Sequence, residues 1–232
     1  MPKKMNPLLS LATSVVLDYL AGQKTKAASP IPELADLPCV REICAKAGSV
    51  TVIIGRRDLG KSVCGYRLAE ILGRPVYAIS PEQHPPVQVR EITLPELSSS
   101  PPPWATLFLD DLPVYMSSRD YGDELIQQVE RLVPVVRHKR KLHLIFATQL
   151  TSFIDKYALD ADLVILKAPS VLYADIERPF VKKLHDQASE YWRGKSEYWL
   201  KRHCYVISHS FQGLARINLP WLGKEKMYPP SH

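Results

Sequence analysis

The stretch Gly55-Arg56-Arg57-Asp58-Leu59-Gly60-Lys61-Ser62 brings together residue types that can grip a polyphosphate: two glycines, a lysine and a hydroxyl side chain. Glycine lets the backbone turn tightly enough to aim successive N–H groups at phosphate oxygens, and the positive end of a following helix adds to that field. At this spacing Lys61 would reach the outer phosphates, and the Ser62 hydroxyl would ligate Mg²⁺. The expected binding loop is therefore Gly55 to Val63. Such a loop needs a strand in front of it and a helix behind it. Val50-Thr51-Val52-Ile53-Ile54 supplies a β-branched apolar run, and Val63 to Leu72 follows with a helical pattern.

A second set of candidate residues begins 49 positions after Lys61. Ala105-Thr106-Leu107-Phe108-Leu109-Asp110-Asp111 is an apolar run ending in acids, the pattern of a buried parallel strand with a carboxylate at its carboxyl end. In an open α/β sheet that end lies beside the phosphate loop, where Asp110 would orient Mg²⁺ as a Walker B acid. Two acids opening a surface turn give the same pattern. Further on, Leu142 to Gln149 is another buried strand ending in polar residues, and the basic run Arg137-His138-Lys139-Arg140-Lys141 precedes it. That run suits a solvated loop, a contact with nucleic-acid phosphates, or a cation lent to a phosphate site. His138 and His143 have no acidic or thiol partners at metal-ligand spacing. Trp192, Tyr198, Trp199 and Trp221 are expected in the core or at an interface.

These residues need an α/β scaffold, and the chain has the means to build one. Its 232 residues suit one α/β domain with appendages, and 46% hydrophobic with 23% charged residues describes a globular protein. The formal charge of +6 permits contact with a polyanion. Cys39, Cys44, Cys64 and Cys204 form no CxxC pair, so free thiols and a cytoplasmic setting are expected. Leu8 to Leu20 is apolar but contains Asp18 and is too short to span a bilayer. It reads as an amphipathic docking helix, with a membrane-surface contact as the alternative, and no transmembrane segment is expected.

Taken in order, residues 1–47 read as an N-terminal tail with a helical extension, 48–219 as the nucleotide-binding domain and 220–232 as a C-terminal tail. Leu37 to Ala47 is a candidate helix, Val76 to Ile79 a strand, and Pro81 to Pro103 a Pro- and Ser-rich loop with room for a short strand at Val87 to Leu94. Asp123 to Arg137 carries apolar residues at helical spacing, with Pro134 near its end. Ala161 to Leu166 is a strand, Ile176 to Trp192 a helix, and Cys204 to Ser208 with Gly213 to Leu219 a terminal strand pair. Strands alternating with helices imply an α/β fold, a mostly parallel central sheet flanked by helices.

The order Gly55 to Ser62, Asp110-Asp111, Arg137 to Lys141, then Thr148-Gln149 resembles the P-loop ATPases of the FtsK/HerA superclade. These have a RecA-like sheet with an additional strand before Walker B. Within that group, the small size and paired acids resemble genome-packaging ATPases of membrane-containing and giant DNA viruses. The resemblance covers about Val50 to Lys167. It implies ATP and Mg²⁺ as ligands, Lys61 and Ser62 as phosphate and metal residues, Asp110 as the Walker B acid, and Gln149 as the polar sensor of the γ-phosphate or attacking water. Arg137 or Arg140 becomes the arginine finger lent to a neighbouring subunit in a ring. Asp111 stands where many relatives have Glu, and would act as general base with a shorter reach. Double-stranded DNA, further copies of the chain, and a capsid or membrane-associated protein are the implied partners. Location follows as host cytoplasm or virion. Two other readings stay open: an export ATPase similar to the zonula-occludens-toxin-like proteins of filamentous phages, and an ATP-dependent regulator of DNA transactions that translocates nothing.

Overall fold

Ser49–Ile54 forms β1, a six-residue strand with every side chain buried. Such burial is what a β-branched run gives when both sheet faces are covered. The computed structural model describes residues 30–79, 85–93, 95–97, 101–110, 136–149, 160–169 and 179–221, with the backbone alone at Arg137, His138, Phe180 and Val181. Around β1 lie β2 (Val76–Ile79), β3 (Val89–Glu91), β4 (Thr106–Leu109), β5 (His143–Thr148), β6 (Leu163–Leu166), β7 (His203–Ser208) and β8 (Gln212–Arg216). They make one eight-stranded sheet in the order β3-β2-β4-β5-β1-β6-β7-β8. The pairings from β3 through β6 are all parallel, while β6 with β7 and β7 with β8 are antiparallel. The fold is thus α/β with a mostly parallel central sheet, as the alternation of strands and helices implies.

Four helices are described: α1 (Pro38–Ala45), α2 (Lys61–Leu72), α3 (Pro179–Trp192) and α4 (Glu197–Arg202). Side chains on the strands alternate between two apolar layers. One layer joins Val52, Ile54, Leu144 and Phe146 to Leu184, Ala188 and Trp192 of α3 and to Leu200 of α4. The other joins Ile53, Phe108, Ile145 and Cys204 to Val40 and Ile43 of α1 and to Cys64, Tyr66 and Leu68 of α2. Helices therefore cover both faces, and this accounts for the unbroken apolar runs in the strands.

The short strand expected within Val87 to Leu94 is β3, and the terminal pair expected after Cys204 is β7 with β8. The expected helix at Leu8 to Leu20, residues 123–135 of the one expected over Asp123 to Arg137, and the tail 220–232 beyond Trp221 fall outside the described residues, while Val136 and Arg137 belong to a π-helical turn. All four cysteines are free thiols. Among the described residues, no helix is long and apolar enough to cross a membrane.

Candidate active site

Parallel register brings the carboxyl ends of β1, β4, β5 and β6 to one edge of the sheet. Ile54 pairs with Thr148 and Leu166, and Leu109 with Phe146. The residue that follows each strand therefore reaches the same edge: Gly55 after β1, Asp110 after β4, Gln149 after β5 and Lys167 after β6. The loop starting at Gly55 is tied to its neighbours on both sides, since Gly55 N donates to Thr148 O (3.3 Å) and Arg56 N to Ala168 O (3.1 Å). A Cβ on Gly55 would lie 2.5 Å from the Lys167 Cβ, so only glycine permits β1 and β6 to close up here. Leu59 is buried in the core and pins the middle of the loop, while Arg56, Arg57 and Asp58 are exposed.

Gly60 sits in the left-handed region (φ 75°, ψ 37°) and is the N-cap of α2 without a side-chain cap. Glycine adopts that conformation without steric cost, and a helix start with no capping side chain leaves its first N–H groups for an anion. Lys61 opens the helix, is buried, and curls its ammonium back to donate to Arg56 O at 3.1 Å. That posture keeps the charge over the loop, where an incoming phosphate would meet it.

A cavity of about 740 Å³ opens along this edge. From the loop and the first turn of α2 it is lined by Arg57, Asp58, Gly60, Lys61, Ser62 and Val63, and from the neighbouring strand ends by Asp110 and Gln149. A hydroxyl, a carboxylate and an ammonium thus face one space. The donor set fits Mg²⁺, which takes hard oxygen ligands and is held by one or two protein groups together with substrate phosphates. Among the described residues, no group of three or more His, Cys, Asp or Glu could hold a metal ion on protein ligands alone.

Other expected residues stand elsewhere. Gly55, Arg56 and Leu59 shape the loop rather than line the cavity. Asp111 and the Arg137 side chain lie outside the described residues. Arg140 belongs to a π-helical turn, Val136–Arg140, before β5, and its guanidinium donates to Pro101 O at 3.1 Å. This turn is at the amino edge of the sheet. A six-residue strand separates it from Gln149, about 20 Å at the usual rise.

No protein-family model matches the sequence, and no curated protein matches it. Solved structures do. The DNA-packaging ATPase of Sulfolobus Turreted Icosahedral Virus is 14% identical with a TM-score of 0.48, over 74% of this chain and 98% of that one. The genome-packaging NTPase of Sulfolobus turreted icosahedral virus 2, in complex with ATP-gammaS, is 14% identical with a TM-score of 0.45, over 75% and 99%. The cytoplasmic domain of the Thermomonospora curvata type VII secretion ATPase EccC is 13% identical with a TM-score of 0.45, over 76% of this chain and 24% of that one.

The far end of the cavity was not foreseen. Tyr198, Lys201 and Arg202 of α4 and Leu219 beyond β8 complete its lining. Of the residues expected in the core or at an interface, Trp192 is buried in the core and Trp199 packs against it, whereas Tyr198 is 66% exposed and lies outside the core. The one local signal for α4 is Ser196, whose hydroxyl accepts from Trp199 N (3.2 Å) as an N-cap. Lys167, fully buried, donates its ammonium to the carbonyls of Leu200 (2.8 Å), Lys201 (3.0 Å) and His203 (2.6 Å). Burial pushes its pKa down, and the neighbouring Cys204 and Cys64 thiols pull it back. These three acceptors at the end of α4 suit an ammonium, because helix C-termini carry partial negative charge.

Proposed function

We propose that this chain is a Mg²⁺-dependent ATPase that works as a ring of identical subunits to move double-stranded DNA, in a role such as viral genome packaging. The observation that carries the reading is that Lys61, Ser62, Asp110 and Gln149 line a single cavity at the carboxyl edge of the sheet. In this reading Lys61 neutralises charge on the outer phosphates of ATP, and the loop N–H groups hold the rest of the chain of phosphates. Ser62 and Asp110 would hold Mg²⁺, which when bound supplies further positive charge between the phosphates. Gln149 orients the attacking water. Asp111 takes the proton that water gives up as its oxygen bonds to the γ-phosphorus, and the bond to the β-phosphate oxygen breaks to release ADP. Arg137 or Arg140 completes the site of an adjacent subunit. A packaging role would add a capsid or membrane-associated protein as a docking partner.

Replacing Lys61 with Ala should lower ATP turnover by about a hundredfold or more, the usual scale for removing a group that meets transition-state charge. Full turnover in that variant would contradict the assignment. The DNA part of the reading has its own test. Duplex DNA should raise the turnover of the wild-type protein, and turnover indifferent to DNA would favour a nucleotide-controlled switch.

A further inference from the structure

The cavity has a direction. In the strand order, Asp110 after β4 and Gln149 after β5 lie on one side of the loop that follows β1, where a terminal phosphate and its metal would sit, and α4, which leads into β7 beside the end of β6, lies on the other. A nucleoside triphosphate held by Lys61 with its γ-phosphate toward Asp110 must lay its nucleoside past Val63 toward α4. There it meets Tyr198, an aromatic ring that is 66% exposed although it lines a cavity.

Tyr198 is held in place. The Arg202 guanidinium, one helical turn on, lies 4.8 Å from the ring centroid and covers one face, so the exposed ring area is left for a second planar partner. Lys201 is tethered to Glu197 (2.8 Å), Ser196 caps the start of the helix, and Trp199 stacks on His203 with centroids 3.9 Å apart. The helix is also locked to the phosphate loop. Lys167, packed against Gly55, donates to the carbonyls of Leu200 and Lys201, and the Lys201 carbonyl lies 3.5 Å from where a Gly60 Cβ would be. Burying an ammonium to anchor six residues is costly, and what the anchoring achieves is a fixed spacing between Tyr198 and the phosphate loop.

We infer that Tyr198, backed by Arg202, is the stacking shelf for the base of the bound nucleotide, and that it favours purines over pyrimidines through the larger ring area they present. This rests on the triphosphate site proposed above. Base stacking on an aromatic side chain is sequence-tolerant, and its loss weakens binding by about 5- to 150-fold.

The test measures binding of ATP, CTP and inorganic tripolyphosphate to the full chain with Mg²⁺, in wild type, Tyr198→Ala and Tyr198→Phe. The shelf predicts that wild type binds ATP more tightly than CTP or tripolyphosphate. Tyr198→Ala should lose about tenfold or more for ATP while tripolyphosphate binding stays within about twofold, and Tyr198→Phe should behave as wild type. Undiminished ATP affinity in Tyr198→Ala, or an equal loss for tripolyphosphate, overturns the shelf and leaves the triphosphate site standing. Wild-type protein that binds neither ATP nor tripolyphosphate overturns the triphosphate site, and the shelf with it.

Discussion

Two buried histidines make the stability of this protein sensitive to acid. His143, on β5, shares a 2.6 Å hydrogen bond between its Nδ1 and Ser49 Oγ, and burial with the nearby Arg74 charge takes its pKa down to about 4 against the opposing pull of Asp162. His185, on α3, is likewise pushed to about 4 by burial, with Asp186 acting in the other direction. An unfolded imidazole takes up its proton near pH 6.5, whereas these two stay neutral in the native state until about pH 4. The folded state is therefore undiminished above pH 6.5, loses stability as pH falls toward 4, and levels off below that. Each histidine contributes a slope of at most about 1.4 kcal/mol per pH unit. Unfolding free energies from urea titrations across this window in wild type and His185→Gln should differ in slope by roughly that amount. Parallel curves would show that His185 does not bind protons differently in the two states.

Between the elements, the most consequential link is Lys167, which ties the end of β6 to the end of α4 and the start of β7. Lys167→Met keeps most of the aliphatic stem but leaves the carbonyls of Leu200, Lys201 and His203 without their donor. A loss of about 3 kcal/mol is expected, the scale of a buried polar group left unsatisfied. Amide exchange in α4 should rise more than exchange in β1, and equal stability with unchanged exchange would show that the ammonium anchors nothing. This link also marks the limit of what the sequence discloses. The strands β1, β2, β4 and β5 are legible because each is an apolar run bounded by turn residues, and the loop from Gly55 to Ser62 is legible because its chemistry fixes its spacing. Helix α4 is not. Six residues are too few to show a period, its Tyr and Trp look like core residues, and what holds it is an ammonium donated from Lys167, 30 positions before Glu197. Composition alone therefore leaves Tyr198 between core and interface, and only the tertiary contacts put it on the cavity.

At the scale of the whole molecule, the parallel sheet holds two groups of cations at opposite edges, one around the cavity and one remote from it. The remote group is at the amino edge, where Arg74 lies over the Trp104 ring at 4.8 Å, Lys141 over the same ring at 5.7 Å, and Arg140 reaches Pro101. Trp104 and Lys141 both hold left-handed backbone (φ 65° and 52°), an unusual state for such residues and one that the surrounding structure must enforce. The cavity with Lys61 is at the opposite edge, so an arginine from the turn before β5 cannot serve the phosphates of its own chain. If it serves phosphates at all, it does so across a head-to-tail contact between copies. That geometry makes a mixing experiment decisive. Lys61→Ala and the double variant Arg137→Ala/Arg140→Ala should each be inactive alone. Co-assembled in equal amounts, they form some junctions where an intact loop faces an intact arginine, and about a quarter of wild-type turnover should return if subunits mix at random around a ring. If the double variant instead keeps its basal turnover and loses only its stimulation by duplex DNA, the basic turn is a phosphate contact for nucleic acid, and the salt dependence of DNA binding should fall with it. Turnover that stays absent in the mixture rules out an arginine supplied in trans.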